Sequence, residues 1–284
     1  MIEPPDLGEP VRNARSVAGG SINDAWRVEL ESGRTAFVKS RSDATVADFE
    51  AEAAGLRWLA DAGAPVPEVL AVGESEPWLA LDWIEPGALA PGGAEELGRD
   101  LAALHRSGAA SFGAQPPRSP DGVLRIGSVR LSIEERGTWR DTYARDLIFP
   151  LLARAREGGT LTKADGGAIE SACARLDELA GAEEPPARLH GDLWSGNVLG
   201  GGNGRAWMID PAAYGGHREI DLAMLRLFGA PSERIFAAYE EAYPLAEGHG
   251  DRVALWQLLP LLVHAVLFGG SYGRAAGDAA RRYA

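Results

Sequence analysis

Apolar and polar residues alternate along much of the first part of the chain, which is the period of β-strands. Between residues 14 and 40 this alternation predicts strands joined by a turn. Apolar positions at near-helical spacing then predict a helix over 46–60. Two short apolar runs, 69–73 and 78–84, predict the remaining strands. The first part is therefore expected to be a sheet with one main helix.

The pattern becomes mainly helical after the Gly- and Pro-rich stretch at 86–93. Helices are predicted at 93–106, 132–155 and 164–181, with more towards the C-terminus. Segment 107–131 has no period and is predicted to be a long loop, whereas 188–210 is predicted to be rich in strands. A β-rich part followed by a helical part indicates an α+β protein of two lobes, residues 1–84 and 85–284.

Composition and charge narrow the expected setting. The 284 residues carry a formal net charge of −13, so a nucleic-acid partner is not expected. The first residues lack the pattern of a signal peptide, and the interrupted apolar stretch 255–268 is too short to cross a bilayer. The single cysteine, Cys173, cannot form an internal disulfide, which suits a reducing compartment. We expect a cytoplasmic protein without a membrane partner.

A segment that begins at Arg188, RLHGDLWSGNVLGGGNGRAWMIDP, carries the densest chemical signal. The apolar runs on either side of its glycine-rich loop can pair as a hairpin, which would bring Asn197 and Asp210 together. Their amide and carboxylate oxygens are ligands that Mg²⁺ takes together with phosphate oxygens. Asp192 would lie beside the metal, free to accept a proton from a hydroxyl. Turn caps and a strand end explain each residue alone, but the combination is typical of phosphoryl transfer.

Two weaker signals lie in the first part of the chain. A glycine-rich run could bring backbone N–H groups close to phosphates, although taken alone an ordinary hairpin turn is the favoured interpretation. This run consists of Gly19, Gly20, Ser21, Ile22 and Asn23. Lys39 is one of only two lysines, and it ends a strand ahead of an acidic helix. Such a lysine is usually solvated, but an ion pair could orient it toward phosphates. Glu52 borders the buried face of the helix, so we prefer it to Glu50 as the partner.

In this order the motifs resemble those of the fructosamine kinase (ketosamine-3-kinase) family, which consists of kinase-like small-molecule phosphotransferases. The family's string His-Gly-Asp-Leu-Trp-x-Gly-Asn matches His190 to Asn197, and its Asp-Pro-Ala begins at Asp210. The glycine run, the strand lysine and the Phe-Glu-x-Glu helix also match. Tyr214 begins the family's Tyr-Gly-His-x-Glu-x-Asp-Leu-Ala, stretched here by one glycine. Ser21 stands where many members have cysteine, so a monomer is expected rather than a disulfide-linked dimer.

The resemblance implies a protein-kinase-like fold, with a small β-rich lobe that has one main helix and a larger, mostly helical lobe. ATP would bind between the lobes, with its adenine on a hinge formed by Asp82, Trp83 and Ile84. Asp192 would orient or deprotonate a sugar hydroxyl, and Lys39 would contact the α- and β-phosphates. Mg²⁺ would be held by the amide and the carboxylate named above. The implied substrate is a ketosamine, phosphorylated on its 3-hydroxyl, which destabilises the adduct and frees the amine.

Substrate contacts are less well defined by the sequence. Trp194 either stacks on the sugar or packs under the catalytic loop. His217 is a second candidate, although it is also interpreted, with Asp221, as a brace for that loop. His105 and His264 lie on apolar helix faces and are interpreted as core histidines.

Other functions remain open at this point. The acceptor could be another small hydroxyl compound, such as an aminoglycoside, homoserine, choline or a sugar, or the chain could be a nucleotide-binding pseudokinase. Protein kinase activity is disfavoured because Asp210 is followed by Pro-Ala rather than Phe-Gly.

Overall fold

A five-stranded antiparallel sheet forms the first part of the molecule. The computed structural model describes residues 7–17 and 24–283. The strands are β1 (Val11–Ser16), β2 (Asp24–Leu30), β3 (Thr35–Ser40), β4 (Val69–Val72) and β5 (Trp78–Asp82). They lie in the order β1-β2-β3-β5-β4, and helix α1 (Val46–Ala60) contacts β4 and β5.

The alternation in the sequence is what fixes this sheet. Trp26, Val28 and Leu30 of β2 are buried, as the period of two residues requires. On α1 the buried side chains include Phe49 and Leu56, which lie on one face of the helix. Within the described residues, 7–17 and 24 onward, the strands and the helix predicted for this part are confirmed.

The remainder of the described chain is mostly helical. Its helices are α2 (Pro91–Ser107), α3 (Trp139–Asp141), α4 (Phe149–Glu157), α5 (Lys163–Ala174), α6 (Leu176–Leu179), α7 (Glu219–Leu227), α8 (Arg234–Ala242), α9 (His249–Trp256), α10 (Leu258–Phe268) and α11 (Tyr272–Ala280). Its strands are β6 (Val123–Ile126), β7 (Val129–Ser132), β8 (Ala187–Leu189), β9 (Val198–Gly200), β10 (Ala206–Met208) and β11 (Tyr214–Gly216). They form antiparallel pairs, β6 with β7, β8 with β11 and β9 with β10.

The prediction of one long loop over 107–131 is wrong. β6 and β7 form a hairpin around Gly127, whose φ of 58° suits a tight turn. Leu124 and Leu131 are buried while Arg130 points outward, but the alternation covers only four residues in each strand. A pattern that short does not stand out from the Gly- and Pro-rich sequence around it.

The helix predicted from residue 132 begins later, at Trp139 of α3. It continues through a π-helical stretch, Thr142–Ile148, into α4. Pro150 has no N–H to donate, and the wider π-helical turn before it accommodates that loss.

The stretch from His249 to Phe268 is long and apolar enough to cross a membrane by length and composition alone. In the fold it is broken between α9 and α10, and 61% of its most apolar window is buried. Trp256, Leu258 and Leu262 belong to the main apolar core. This stretch is therefore a core segment of the helical part of the molecule.

Candidate active site

Two short strand pairs frame the segment with the densest chemical signal. The catalytic loop, residues 190–197, joins β8 to β9, and a second loop, residues 209–213, joins β10 to β11. Because β9 pairs with β10 and β8 pairs with β11, the two loops lie side by side. The N–H of Ile209 donates to the carbonyl of Asn197 at 3.1 Å. The predicted hairpin is confirmed, and it brings Asn197 next to Asp210.

Asp192 contacts Asn197 within the catalytic loop. The Nδ2 group of Asn197 donates to the backbone carbonyl of Asp192 at 2.8 Å and to its Oδ2 atom at 3.1 Å. Because the amide nitrogen is used in this way, the Asn197 oxygen faces away from Asp192. Burial, and then the charge of Asp210, raises the pKa of Asp192 to about 8. The carboxylates of Asp192 and Asp210 repel each other when both are ionised, so a proton or a cation between them is favoured.

Lys39 links the sheet to these loops. Its Nζ atom lies 2.6 Å from Asp210 Oδ1 and 2.8 Å from Glu52 Oε1, and its side chain is only 3% exposed. Burial alone would lower the pKa of Lys39, but the two carboxylates outweigh burial and raise it. In turn the lysine holds the pKa of Asp210 below its ordinary value against the effect of burial. Strand β3 and helix α1 thus place a paired cation beside the catalytic loop.

A buried acid on α7 fixes the backbone of the catalytic loop. Asp221 accepts hydrogen bonds from the N–H groups of His190, at 2.8 Å, and Gly191, at 2.9 Å. Gly191 has a φ of 82°, and a Cβ atom there would collide with the carbonyl of Ala212. His105 is a buried core histidine, as expected, and its Nε2 atom lies 3.2 Å from the same acid. These contacts hold the turn that precedes Asp192.

A further set of contacts, which the sequence did not predict, holds α1 against the helical part. The β6–β7 hairpin supplies Arg125, which donates to Asp48 Oδ1 at 2.8 Å, and Arg130, which donates to Asp48 Oδ2 at 2.5 Å. Asp48 precedes Glu52 by one helical turn, so the hairpin grips α1 beside the acid that pairs with the buried lysine. The capping pattern of Thr45 and Asp48 could have located the acid. No local signal points to arginines 77 and 82 residues away.

The predicted hinge, residues 82–84, follows β5. The N–H of Asp82 donates to the carbonyl of Glu68 at 2.8 Å, and the N–H of Trp83 donates to the carbonyl of Thr35 at 3.1 Å. Of these three described residues, Ile84 is therefore the one whose backbone N–H remains available to donate a hydrogen bond to a nucleotide base. The glycine-rich run from Gly19 to Asn23 lies outside the described residues.

The two candidate substrate residues differ in their surroundings. Trp194 is 37% exposed, and its ring lies over Gly196, where a Cβ atom would collide with it. The tryptophan therefore packs on the catalytic loop and still offers surface to solvent. His217 is buried, with its ring stacked on Trp256 at a centroid distance of 5.5 Å and its Nδ1 accepting from the N–H of Glu219. That position favours a structural role for His217.

The donor set fits a divalent cation such as Mg²⁺. Asn197 and Asp210 provide an amide oxygen and a carboxylate, both hard ligands. Asp210 has a φ of 55°, which non-glycine residues rarely adopt. Backbone strain of this kind is concentrated at functional sites.

Comparison with known proteins shows the family of this chain. The family model described as "Fructosamine kinase" matches residues 6–283, so the chain belongs to the fructosamine kinase family. It is 38% identical to the "Probable ketoamine kinase" of Thermus thermophilus over 89% of this chain and 87% of that protein. Among solved structures, the putative fructosamine-3-kinase of Thermobifida fusca is 44% identical, with a TM-score of 0.88 over 98% of this chain and 95% of that one.

A more distant likeness concerns the fold alone. An aminoglycoside phosphotransferase, APH(4)-Ia, solved with AMP-PNP and hygromycin B, has a TM-score of 0.65 at 20% identity over 96% of this chain and 93% of that one. The expected protein-kinase-like α+β fold is confirmed. Together, the family and the fold make the protein a phosphotransferase that acts on an alcohol group.

Proposed function

We propose that this protein uses ATP and Mg²⁺ to phosphorylate the 3-hydroxyl of the sugar part of ketosamines, such as the fructosamine and ribulosamine adducts of amines. The observation that carries the proposal is the meeting of Asp192, Asn197 and Asp210 beside the buried Lys39. The named relatives supply the acceptor class, since they are described as ketoamine and fructosamine kinases.

In the proposed reaction the 3-hydroxyl oxygen attacks the γ-phosphorus of ATP. The bond from that phosphorus to the β,γ-bridging oxygen breaks, ADP leaves, and the hydroxyl proton passes to the carboxylate of Asp192. The hydrogen bond from Asn197 and the backbone contacts of Asp221 hold that carboxylate in place.

The other groups bind the nucleotide. Asn197 and Asp210 would hold Mg²⁺, which when bound neutralises charge on the phosphate oxygens. Lys39, kept in place by Glu52, would contact the α- and β-phosphates. The Ile84 N–H would donate to the adenine, with Asp82 and Trp83 shaping the hinge, and the run Gly19 to Asn23 would cover the phosphates. Trp194 would lie against the sugar.

A panel of acceptors tests the proposal. ATP consumption is measured with a ribulosamine, a fructosamine, an aminoglycoside and choline, for the wild type and for Asp192→Asn. We expect turnover with the ketosamines that falls by about 10²-fold or more in the variant. Turnover with only the aminoglycoside or choline would overturn the proposed substrate class, while nucleotide binding without any transfer would overturn the proposed activity.

The proposed setting is the cytoplasm, where the protein would act as a monomer on small glycated amines. The net charge of −13 supports a preference for cationic substrates over nucleic acids.

A further inference from the structure

Five aromatic rings form a continuous group that starts at the catalytic loop. We name this group the aromatic ledge, and its members are Trp194, Phe228, His264, Phe268 and Tyr272. Trp194 meets Phe228 edge to face at a centroid distance of 6.1 Å, and Phe228 lies 4.9 Å from His264. From His264 the group continues to Phe268 at 5.4 Å and to Tyr272 at 5.0 Å.

The ledge is unusually open to solvent. Among the residues that the structure describes, five large apolar side chains are exposed, and three of them belong to the ledge. These are Trp194, Phe228 and Phe268, at 37%, 38% and 58%. Large apolar side chains that are exposed together, rather than singly, mark binding surfaces.

The position of the ledge relates it to the proposed substrate. Trp194 follows Asp192 by two residues, and its ring is held over Gly196 on the same loop. A ketosamine phosphorylated through Asp192 would therefore have its sugar at the start of the ledge. In such a molecule the amine is attached to the sugar two carbons from the 3-hydroxyl, so the rest of the amine must extend away from the catalytic loop.

The chemistry of the ledge defines what that extension should be. The nitrogen of a ketosamine is an alkylamine and is positively charged at neutral pH, and aromatic faces attract such cations. Burial lowers the pKa of His264 and outweighs the hydrogen bond between its Nδ1 atom and the carbonyl of Pro260 at 2.7 Å, so the ring adds no competing charge. Beyond the nitrogen the exposed surface of Phe228 and Phe268 is apolar.

We propose that the aromatic ledge binds the amine-side substituent of the ketosamine and selects aromatic or alkyl substituents over those that carry a carboxylate. This inference rests on the proposed function and adds the class of amine to it.

The test compares two ribulosamines that share one sugar, the adduct of benzylamine and the adduct of glycine. For the wild type we expect kcat/KM to be at least about tenfold higher for the benzylamine adduct. In Phe268→Ala, and separately in Phe228→Ala, the ratio of the two kcat/KM values should fall several-fold toward one. Phe149→Ala is the matched control, because Phe149 is similarly exposed at 41% but begins α4 and has no ring contact with the ledge among the described residues. Its ratio should equal that of the wild type.

The outcomes separate the two proposals. Phosphorylation of both adducts with equal kcat/KM, or a ratio that survives both ledge substitutions, would overturn the ledge alone. If neither adduct is phosphorylated, the proposed function falls as well. Sedimentation of the same variants tests whether a second copy of the chain binds the ledge instead. If Phe268→Ala changes the oligomeric state but keeps the kcat/KM ratio, the ledge is a contact between two copies.

Discussion

Replacement of Lys39 by methionine tests the strength of the ion pair that joins the sheet to the catalytic loop. The change keeps most of the side-chain volume but removes a cation 2.6 Å from Asp210 and 2.8 Å from Glu52. Removing one partner of a buried pair costs ~3–5 kcal/mol, because the remaining charge is left unpaired. The Asp210 side chain is 47% exposed, so solvent screens that contact. We therefore expect a loss at the lower end, about 3 kcal/mol.

Most of this loss should arise at Glu52, whose pKa is raised by burial even with the lysine present. Without Lys39 the folded-state pKa of Glu52 rises further above its unfolded value. A carboxyl group of this kind gives its full stability below the unfolded pKa and loses it as the pH rises through the folded pKa. The loss caused by Lys39→Met should thus be larger at about pH 8 than at about pH 5.5. Adding Glu52→Gln should recover part of it.

Urea unfolding at both pH values measures these free energies of unfolding. Lys163→Met is the matched control, because Lys163 is the only other lysine and lies exposed at the start of α5. It should stay within about 0.5 kcal/mol of the wild type. If Lys39→Met is as stable as this control, or if the double variant is no more stable than Lys39→Met, the reasoning is refuted.

Three further substitutions test the framework around the site. Asp221→Asn should lower the free energy of unfolding by about 1–3 kcal/mol and reduce kcat, because a backbone N–H of the catalytic loop loses its acceptor. An unchanged free energy of unfolding in denaturation and an unchanged kcat in steady-state kinetics would contradict this. Asp48→Asn should lower the free energy of unfolding by about 1–2 kcal/mol. The control Glu95→Gln, in the more exposed pair with Arg234, should lower it by less than about 1 kcal/mol. Equal losses in thermal melts would show that the β6–β7 hairpin does not hold α1. Gly191→Ala should inactivate and destabilise the enzyme, because Gly191 has a positive φ and a Cβ atom there would collide with Ala212. The control Gly92→Ala on α2 should be tolerated, because the space around Gly92 is open. An active and stable Gly191→Ala variant would contradict the geometry.

Local patterns were enough to predict the elements that carry the site. The alternation in β2 predicted a strand, and the two apolar runs around the glycine-rich loop predicted the pairing of β9 with β10. That pairing alone was enough to expect Asn197 beside Asp210. In the same way, the position of Glu52 at the edge of a buried helix face distinguished it from Glu50, and the structure pairs Glu52 with Lys39.

Contacts between distant parts of the chain could not be predicted in this way. Asp48 meets Arg125 across 77 residues, and His105 meets Asp221 across 116. Asp48, Arg125 and His105 each have an ordinary local explanation, as a helix cap, a surface charge or a core residue. Only the tertiary fold, which brings the β6–β7 hairpin to Asp48 of α1 and Asp221 of α7 to His105 of α2, gives them these partners. The ledge was hidden for the same reason, since Trp194 and Phe268 come from separate segments.

Identification of the product tests the central claim most directly. The wild-type enzyme and Asp192→Asn are incubated with ATP, Mg²⁺ and a ribulosamine, and the product is analysed by mass spectrometry and by ³¹P and ¹³C NMR. We expect a monophosphate whose phosphorus couples to carbon 3 of the sugar, formed about 10²-fold or more slowly by Asp192→Asn. A phosphate on another oxygen, or a variant that forms the product at the wild-type rate, would contradict the account.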